Sequence, residues 1–550
     1  MRRRGITIIV ALLTALPLGA QKKSELKAIW LEAESHYLYG EFELANPLYL
    51  ILNNLFPGNA NIKYKIGNCY LNIFDEKQKS ITFLEEAVKN ASYDSKSNLL
   101  KETRAPLDAY FSLGNSYRIA NKLDSALMTY QMFRNLLSGT GEMANQDFID
   151  QQIQACNIAI EKMKSPILVN IDPLKEYINQ GSVNEMPAVS FDEQVMAYTE
   201  RRGLENAVFI TRKEGDSWGT PVDITAEAEM GTDCYSTSLN SDGTELYLFK
   251  NDNYDGNIYV TTFVDGRWSP IKKLNKNINT KFYESHASIS PDGNRLYFTS
   301  NREESLGELD IWVSEKDAWG EWGVPANLGN TVNTPFNEET PAITKDGKTL
   351  IFSSEGHGSM GGYDIFITSL GTGGWGKPEN IGYPLSTTDD DLGFHPVDNG
   401  AYGFYSVLTG YKKKEIALVT FDTPLPALVA DTTAAKDTIK LNFDLNTLPY
   451  ITITDSSSLI RDLIMRDVLD TDEADANVLY FTVQVMALYN PVDPAFFEHA
   501  TIRVFYNSFD RFFRYTTGQF ATKEEAYAEK ERLLRIGYPT DIFVKKVYRE

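Results

Sequence analysis

Hydrophobic positions fall into three regimes along the chain. From Ser24 to about Ser165 they recur every three to four residues, the period of one helix face, and turn signals break the run into separate helices. From there to Phe421 the period drops to two, in short segments: Leu296 and Phe298 alternate with polar neighbours, as do Ile311 and Val313. One such unit predicts four strands, at 287–290, 295–299, 310–314 and 324–328. After Phe421, "DTPLPALVADTTAAKDT" has little to bury and reads as a tether. The C-terminal part predicts strands at 479–488, 501–508 and 511–520, a helix at 522–538, and a last strand at 541–547. Thr522, with Glu525 three residues on, opens that helix as a capping box.

Ahead of these regimes stand Arg2, Arg3 and Arg4, an apolar run from Ile6 to about Leu18, and Gly19-Ala20 before a polar stretch. That order is a secretory signal peptide, and the apolar run is shorter than the ~18–20 residues a membrane span needs. The expected organisation is therefore a signal peptide at 1–20, a helical domain at 21–165, a strand-rich domain at 166–421, a linker and connecting element at 422–477, and a small C-terminal domain at 478–550. The mature chain is expected to have no transmembrane segment and to reside in the periplasm, associated with the wall or the outer membrane.

Aligned on a turn, the strand-rich region reads "STSLNSDGTELYLF", "HASISPDGNRLYFT", "TPAITKDGKTLIFS" and "GFHPVDNGAYGFYS", after a degenerate "MPAVSFDEQVMAYT". The turn glycines Gly243, Gly293, Gly347 and Gly400 lie 50, 54 and 53 residues apart. Trp218, Trp268, Trp322 and Trp375 each precede one of them by 25 residues. Asp-Gly supplies the positive backbone angle of a tight hairpin. A four-stranded unit of this size cannot bury both faces alone, so the units must stack radially into a β-propeller. Residues 165–190 follow the same pattern as 324–344 but lack the earlier part of a unit. Their first strand is expected to complete the last unit, near 413–421, as a closing strap, which makes five blades. The phrase "P-A-I-T-K-D-G-K-T-L-I-F-S", with Gly361, Gly362, Asp364, Ile365 and Phe366 after it, resembles the WD40-like propeller repeats of Tol-type periplasmic proteins.

In the helical third, Gly40, Ala45, Tyr49 and Pro57 mark one unit. Gly67, Tyr70, Ser80 and Leu84 mark a second, and Gly114, Tyr117, Ala126 and Tyr130 a third. Ala45 to Ser80 and Tyr49 to Leu84 are both 35 residues. The region resembles a tetratricopeptide (TPR) solenoid, whose stacked helix pairs imply a protein-binding surface. The end of the chain, with "VQV" at 483–485, "FRYTTGQF" at 513–520 and "ATKEEA" before a late "GY", resembles the SPOR domain, a small sheet on helices that binds the glycan strands of peptidoglycan. It departs from that pattern at Met486 and over 489–500. Between tether and SPOR-like part, "IKLNFDLNT" resembles the opening of an OmpA-like domain but is too short for one.

Composition narrows the classes. At 550 residues and 42% hydrophobic the chain can bury several cores, and a net charge of −22 argues against nucleic acid as a partner. Cys69, Cys156 and Cys234 are too scattered for a disulfide framework or a metal cluster and are read as small buried hydrophobes. "GHGSMGG" has His357 where a nucleophile elbow needs glycine, and so reads as a loop between strands. His286, His357 and His395 have no companion at triad or ligand spacing, and the acidic run "TTDDDLG" reads as a solvated turn. No catalytic residue, metal or cofactor is expected.

Alternation in the C-terminal strands directs Val483, Val485, Ile502, Val504, Phe513 and Tyr515 toward the helix. Gln484, Arg503, Phe505, Phe512, Arg514 and Thr516 then share the opposite face, where rings can stack on sugars and amide or guanidinium groups can bond hydroxyls. The expectation is a non-enzymatic periplasmic scaffold that holds peptidoglycan through these six residues and an outer-membrane or periplasmic protein complex through its other surfaces. The order of modules resembles accessory proteins of type IX secretion and gliding. The competing expectation is a wall-targeted enzyme that cleaves polysaccharide at the propeller mouth.

Overall fold

The computed structural model describes residues 20–138, 146–175, 177–203, 205–252, 255–422, 478–488, 500–507, 512–536, 538 and 542–548. All of the expected signal peptide but Ala20, and the linker after Asp422, lie outside these residues.

Seven helices form the N-terminal part: α1 (Ala20–Leu38), α2 (Phe42–Leu55), α3 (Ala60–Asn72), α4 (Ser80–Ala87), α5 (Asp108–Ile119), α6 (Leu123–Ser138) and α7 (Gln146–Lys164). They pack in sequence as antiparallel neighbours, and the small residues read from the sequence sit where two helices touch. A Cβ on Gly67 would lie 2.4 Å from Leu84 of the facing helix, and one on Gly114 would lie 2.4 Å from the Tyr130 ring. Ala45, Tyr49, Ser80, Leu84, Ala126 and Tyr130 are fully buried. Gly114→Ala is therefore expected to wedge α5 from α6 at a cost of about 1–3 kcal/mol. A fall in the urea midpoint with an unchanged slope would show it.

The strand-rich part is a ring of four-stranded antiparallel units. The first runs Val183–Val189, Val195–Arg202, Glu205–Glu214 and Val222–Asp223. The second runs Cys234–Leu239, Glu245–Asp252, Asp255–Val264 and Lys272–Lys273. The third is Glu284–Ile289, Arg295–Ser300, Asp310–Glu315 and Ala326–Asn327; the fourth is Glu338–Ile343, Thr349–Ser354, Asp364–Gly371 and Glu379–Asn380. The last takes His395–Val397, Tyr402–Gly410 and Lys413–Phe421 from one end of the region and Val169–Pro173 from the other. Val169 pairs with Phe421 and the register runs on antiparallel to Pro173 with Ala417, so the early strand straps the late unit shut. The fourth strand of the third unit is only two residues long, shorter than the 324–328 read from the sequence.

Alternation explains why the units close into a propeller. On the second strand of each unit, odd and even residues face opposite neighbours. Leu246 and Leu248 join Val208 and Ile210 of the unit before, whereas Tyr247 joins Leu296 and Phe298 of the unit after. Tyr297 in turn meets Leu350 and Phe352, and Ile351 meets Tyr405 and Val419. The circle is completed by Phe404 and Ile416 against Met196 and Tyr198 of the first unit. The tryptophans seal the same seams, each against the unit that precedes its own: Trp268 and Trp322 in the seams of the second and third units, Trp375 in that of the fourth, Trp218 in the closing one.

The C-terminal part is a four-stranded sheet in the order Ile502–Asn507, Phe512–Phe520, Val478–Leu488, Phe543–Tyr548, with helix α8 (Lys523–Arg535) packed on it. Thr522 caps the helix in a capping box with Glu525. Val483, Val485, Tyr515, Leu533 and Ile542 form its core, which Leu38 at the end of α1 joins. Among the described residues no helix is long and apolar enough to cross a membrane.

Candidate functional site

The C-terminal register sets Gln484, Arg503, Arg514 and Thr516 of the six sequence-selected residues on one face. Arg503 stands opposite Thr516, which stands opposite Gln484, and Phe505 stands opposite Arg514; Phe512 pairs with Asn507. The face is less open than the alternation implied. Gln484 and Thr516 are buried, because they lie on the two central strands of the sheet between flanking rows. Arg514 is partly buried and Arg503 is exposed. Of the four, Arg503 is the exposed one, toward the Ile502–Asn507 edge, while the side chains of Phe505 and Phe512 lie outside the described residues.

The propeller supplies a second candidate. Its innermost strands lose register at one row, between Glu185 and Ala188, Ser236 and Ser238, Ser285 and Ser288, and Glu339 and Ala342. These bulges turn Met186, His286 and Thr340 into the left-handed backbone region, at φ 53°, 34° and 48°. Non-glycine residues enter that region at a cost, and such strain concentrates at functional sites. All three line a small central cavity of about 320 Å³, open to solvent, together with Thr237, Phe394 and His395. His286 does have a companion, which sequence distance hid: its Nδ1 is 3.0 Å from Glu339 Oε2 of the next unit, though not aligned for a hydrogen bond, and its ring lies 5.3 Å from Phe249. His395 Nε2 takes the Val189 N–H at 3.0 Å, and burial pushes its imidazole down to about 4.

The junction between helices and ring was missed from the sequence. The run "TTDDDLG", read there as a solvated turn, is part of it. Asp389 accepts from Lys77 Nζ at 2.6 Å, and Asp391 is buried, taking the Thr387 N–H at 2.6 Å and the Tyr405 hydroxyl at 3.1 Å. Arg118 of α5, itself buried, donates to the Thr388 carbonyl and lies where a Cβ on Gly361 would be. Gly358 and Gly361 of "GHGSMGG" thus face the helical part, a Cβ on Gly358 lying 3.4 Å from Ile158, and Gln151 donates to the Glu355 carbonyl at 3.2 Å. Farther round the ring, Glu76 accepts from Tyr411 at 2.9 Å and pairs with Lys412 at 3.1 Å. Asp364 lies beneath this junction with Oδ1 unpartnered; burial pushes its carboxyl up to about 7 against the pull of the Met360 N–H, Asn380 and Arg118.

The outer side of the helices carries apolar surface. Met128, Met132 and Leu136 form an i, i+4, i+8 stripe on α6, 71, 52 and 39% exposed, and Leu44, Ile51 and Leu55 are exposed on α2. The cysteines are buried as expected.

No family model matches the chain, and no curated protein matches it. Among solved structures, the chain is similar to TolB from Acinetobacter baumannii, at 15% identity over 50% of this chain and 70% of that one, with a TM-score of 0.29. It is similar to an alpha-L-arabinofuranosidase from Lactobacillus brevis at 12% identity over 46% of this chain and 98% of that one, TM-score 0.32. An endo-arabinase from Bacteroides thetaiotaomicron gives 14% identity over 46% and 98%, TM-score 0.28.

Proposed function

We infer that the chain is a non-enzymatic scaffold of the bacterial envelope, in which a TPR-like helical stack and a five-bladed WD40-like propeller form one platform and a SPOR-like C-terminal domain holds peptidoglycan glycan strands. The observation that carries the reading is the junction through Arg118, Lys77 and the 388–391 loop, which fixes the two large modules to each other while the methionine stripe of α6 stays outward. A rigid base with an adaptable apolar stripe suits a protein partner, here an outer-membrane or periplasmic complex, because thioether side chains repack against varied surfaces. A periplasmic address follows from the leader read at 1–20, and a place beside type IX secretion machinery from the order of modules.

Glycan binding is assigned to Arg503 and Arg514, with Phe505 and Phe512 as stacking positions and Gln484 and Thr516 supporting them from within the sheet. The full chain should sediment with purified peptidoglycan, and Arg503→Ala with Arg514→Ala should cut the sedimented fraction at least about fivefold, each charge-assisted bond contributing on the order of 1 kcal/mol. A full chain that stays in the supernatant, or a double variant that sediments like the parent, removes the glycan assignment. Release of soluble muropeptides in the same incubation would favour the enzymatic alternative at the propeller mouth.

A further inference from the structure

At three of the five seams, neighbouring innermost strands of the ring are tied by one recurrent bond. Five residues before the turn glycine, a side chain of one unit accepts a main-chain N–H of the next: Ser238 from Ile289 and Ser288 from Ile343, both at 3.1 Å. Counted from Gly400, the residue at this position in the last unit is His395, and it accepts from Val189 at 3.0 Å. The histidine thus stands at the seam where the ring closes on itself, in the place that serine holds in the second and third units and alanine, Ala188 and Ala342, in the first and fourth.

The substitution changes what a proton does. A hydroxyl oxygen keeps its lone pairs in acid, whereas imidazole accepts through Nε2 only while neutral. Nε2 is also 3.1 Å from the Val189 carbonyl, so an imidazolium would donate there and leave the Val189 N–H without an acceptor. The other ties at this seam run to different strands: Lys414 donates to the Ser182 carbonyl at 2.8 Å, Ile416 donates to Asn179 at 2.7 Å, the Tyr402 hydroxyl donates to Glu193 at 2.5 Å, and Phe404 and Ile416 pack on Met196 and Tyr198. His395 stands between two cavities. On the turn side Glu193, Lys345 and Asp398 face it, and on the channel side His286 does.

We propose that His395 makes the closing seam a proton-sensitive latch: neutral, it holds the His395–Val397 strand to the Val183–Val189 strand, and protonated it lets them part while the serine seams stay shut. Burial holds the imidazole near 4 in the closed ring, against 6.5 for the free side chain. A depressed histidine stabilises the closed form fully above the free value and loses that stability as pH falls toward the closed-form value. The opening equilibrium should therefore rise on the order of thirtyfold between pH 7.5 and 5.

Hydrogen exchange of the intact chain, read by mass spectrometry and corrected for the intrinsic pH dependence, tests it. Peptides over Val183–Val189 should lose protection at pH 5, while those over Glu284–Ile289 and Glu338–Ile343 should not. His395→Ser should keep Val183–Val189 protected at both pH values, and His395→Ala should leave it exchanging fast at both. Equal behaviour of the three segments in the wild-type chain overturns the proposal. So does wild-type pH dependence retained in His395→Ser, which would assign the effect to Glu193 or Asp398.

Discussion

Replacing Val169 and Ile171 together with aspartate should lower the thermal midpoint of the ring by about 10 °C, whereas Asn170→Asp should leave it within about 1 °C. The two inward residues of the strap pack with Ile167 against Ile365, Tyr405 and Val419, while Asn170 and Asp172 on the same strand point to solvent. Two carboxylates placed in that cluster would meet no cation there, and burying unpaired charge at two positions should remove about 4 kcal/mol or more. For a domain of this size about 2–4 °C accompanies each kcal/mol. The strap also joins two ends of the ring that are distant in sequence, so its release should free a whole unit. Calorimetry of the full chain carries the comparison, and equal midpoints for the inward and outward variants would show that the Val169–Pro173 pairing does not close the ring.

That strap is legible in the amino-acid sequence alone, for a physical reason. A radial stack has no tolerance for an incomplete unit, so an orphan first strand at 165–190 and a three-stranded unit at the other end had to meet. The Asp-Gly turns and the tryptophans are legible too, since positive φ at Gly243, Gly293 and Gly347 and large rings at each seam are demands on single residues. So is the close approach at Gly67 and Gly114, which only a missing side chain allows.

What stayed hidden depends on partners far away in the chain. Arg118 and Thr388 are 270 positions apart, and no local pattern marks an arginine that will be buried against a glycine-rich loop. Charge runs look solvated until the opposing Lys77 arrives, which is why "TTDDDLG" misled. Alternation set Gln484 among the sugar-facing positions but could not say how deeply it would be buried. Another signal was present but unread: Asn-Thr five and four residues before a buried glutamate, at Asn279-Thr280 with Glu284 and Asn333-Thr334 with Glu338. Thr280 and Thr334 bond the carboxylates, while Asn279 and Asn333 hydrogen-bond both main-chain groups of Ile258 and Ile311 and so tie each connecting loop to the unit before it.

Arg118→Ala should separate the unfolding of the helices from that of the ring, turning one calorimetric transition into two, and should do so most strongly above neutral pH. Arg118 is buried, donates to the Thr388 carbonyl and acts electrostatically on Asp364, Asp389 and Asp390; removing it leaves a buried carbonyl without its donor, at a cost of about 1–3 kcal/mol. The pH dependence comes from Asp364. Its folded value of about 7 lies above the ordinary 3.8, so the folded protein binds the extra proton between them. The stability it supports is full below 3.8 and lost as pH rises through 7, the opposite sign to His395. Without Arg118 the carboxyl should rise further, so the variant should tighten again when acidified from pH 8 to 6, while Arg118→Lys, keeping charge but not the fork, should fall between. Limited proteolysis at the two pH values gives the same comparison without heating. A single, pH-independent transition in Arg118→Ala would mean that the ion pairs at Lys77 and Lys412 hold the modules together unaided, and that the buried guanidinium contributes little to the platform.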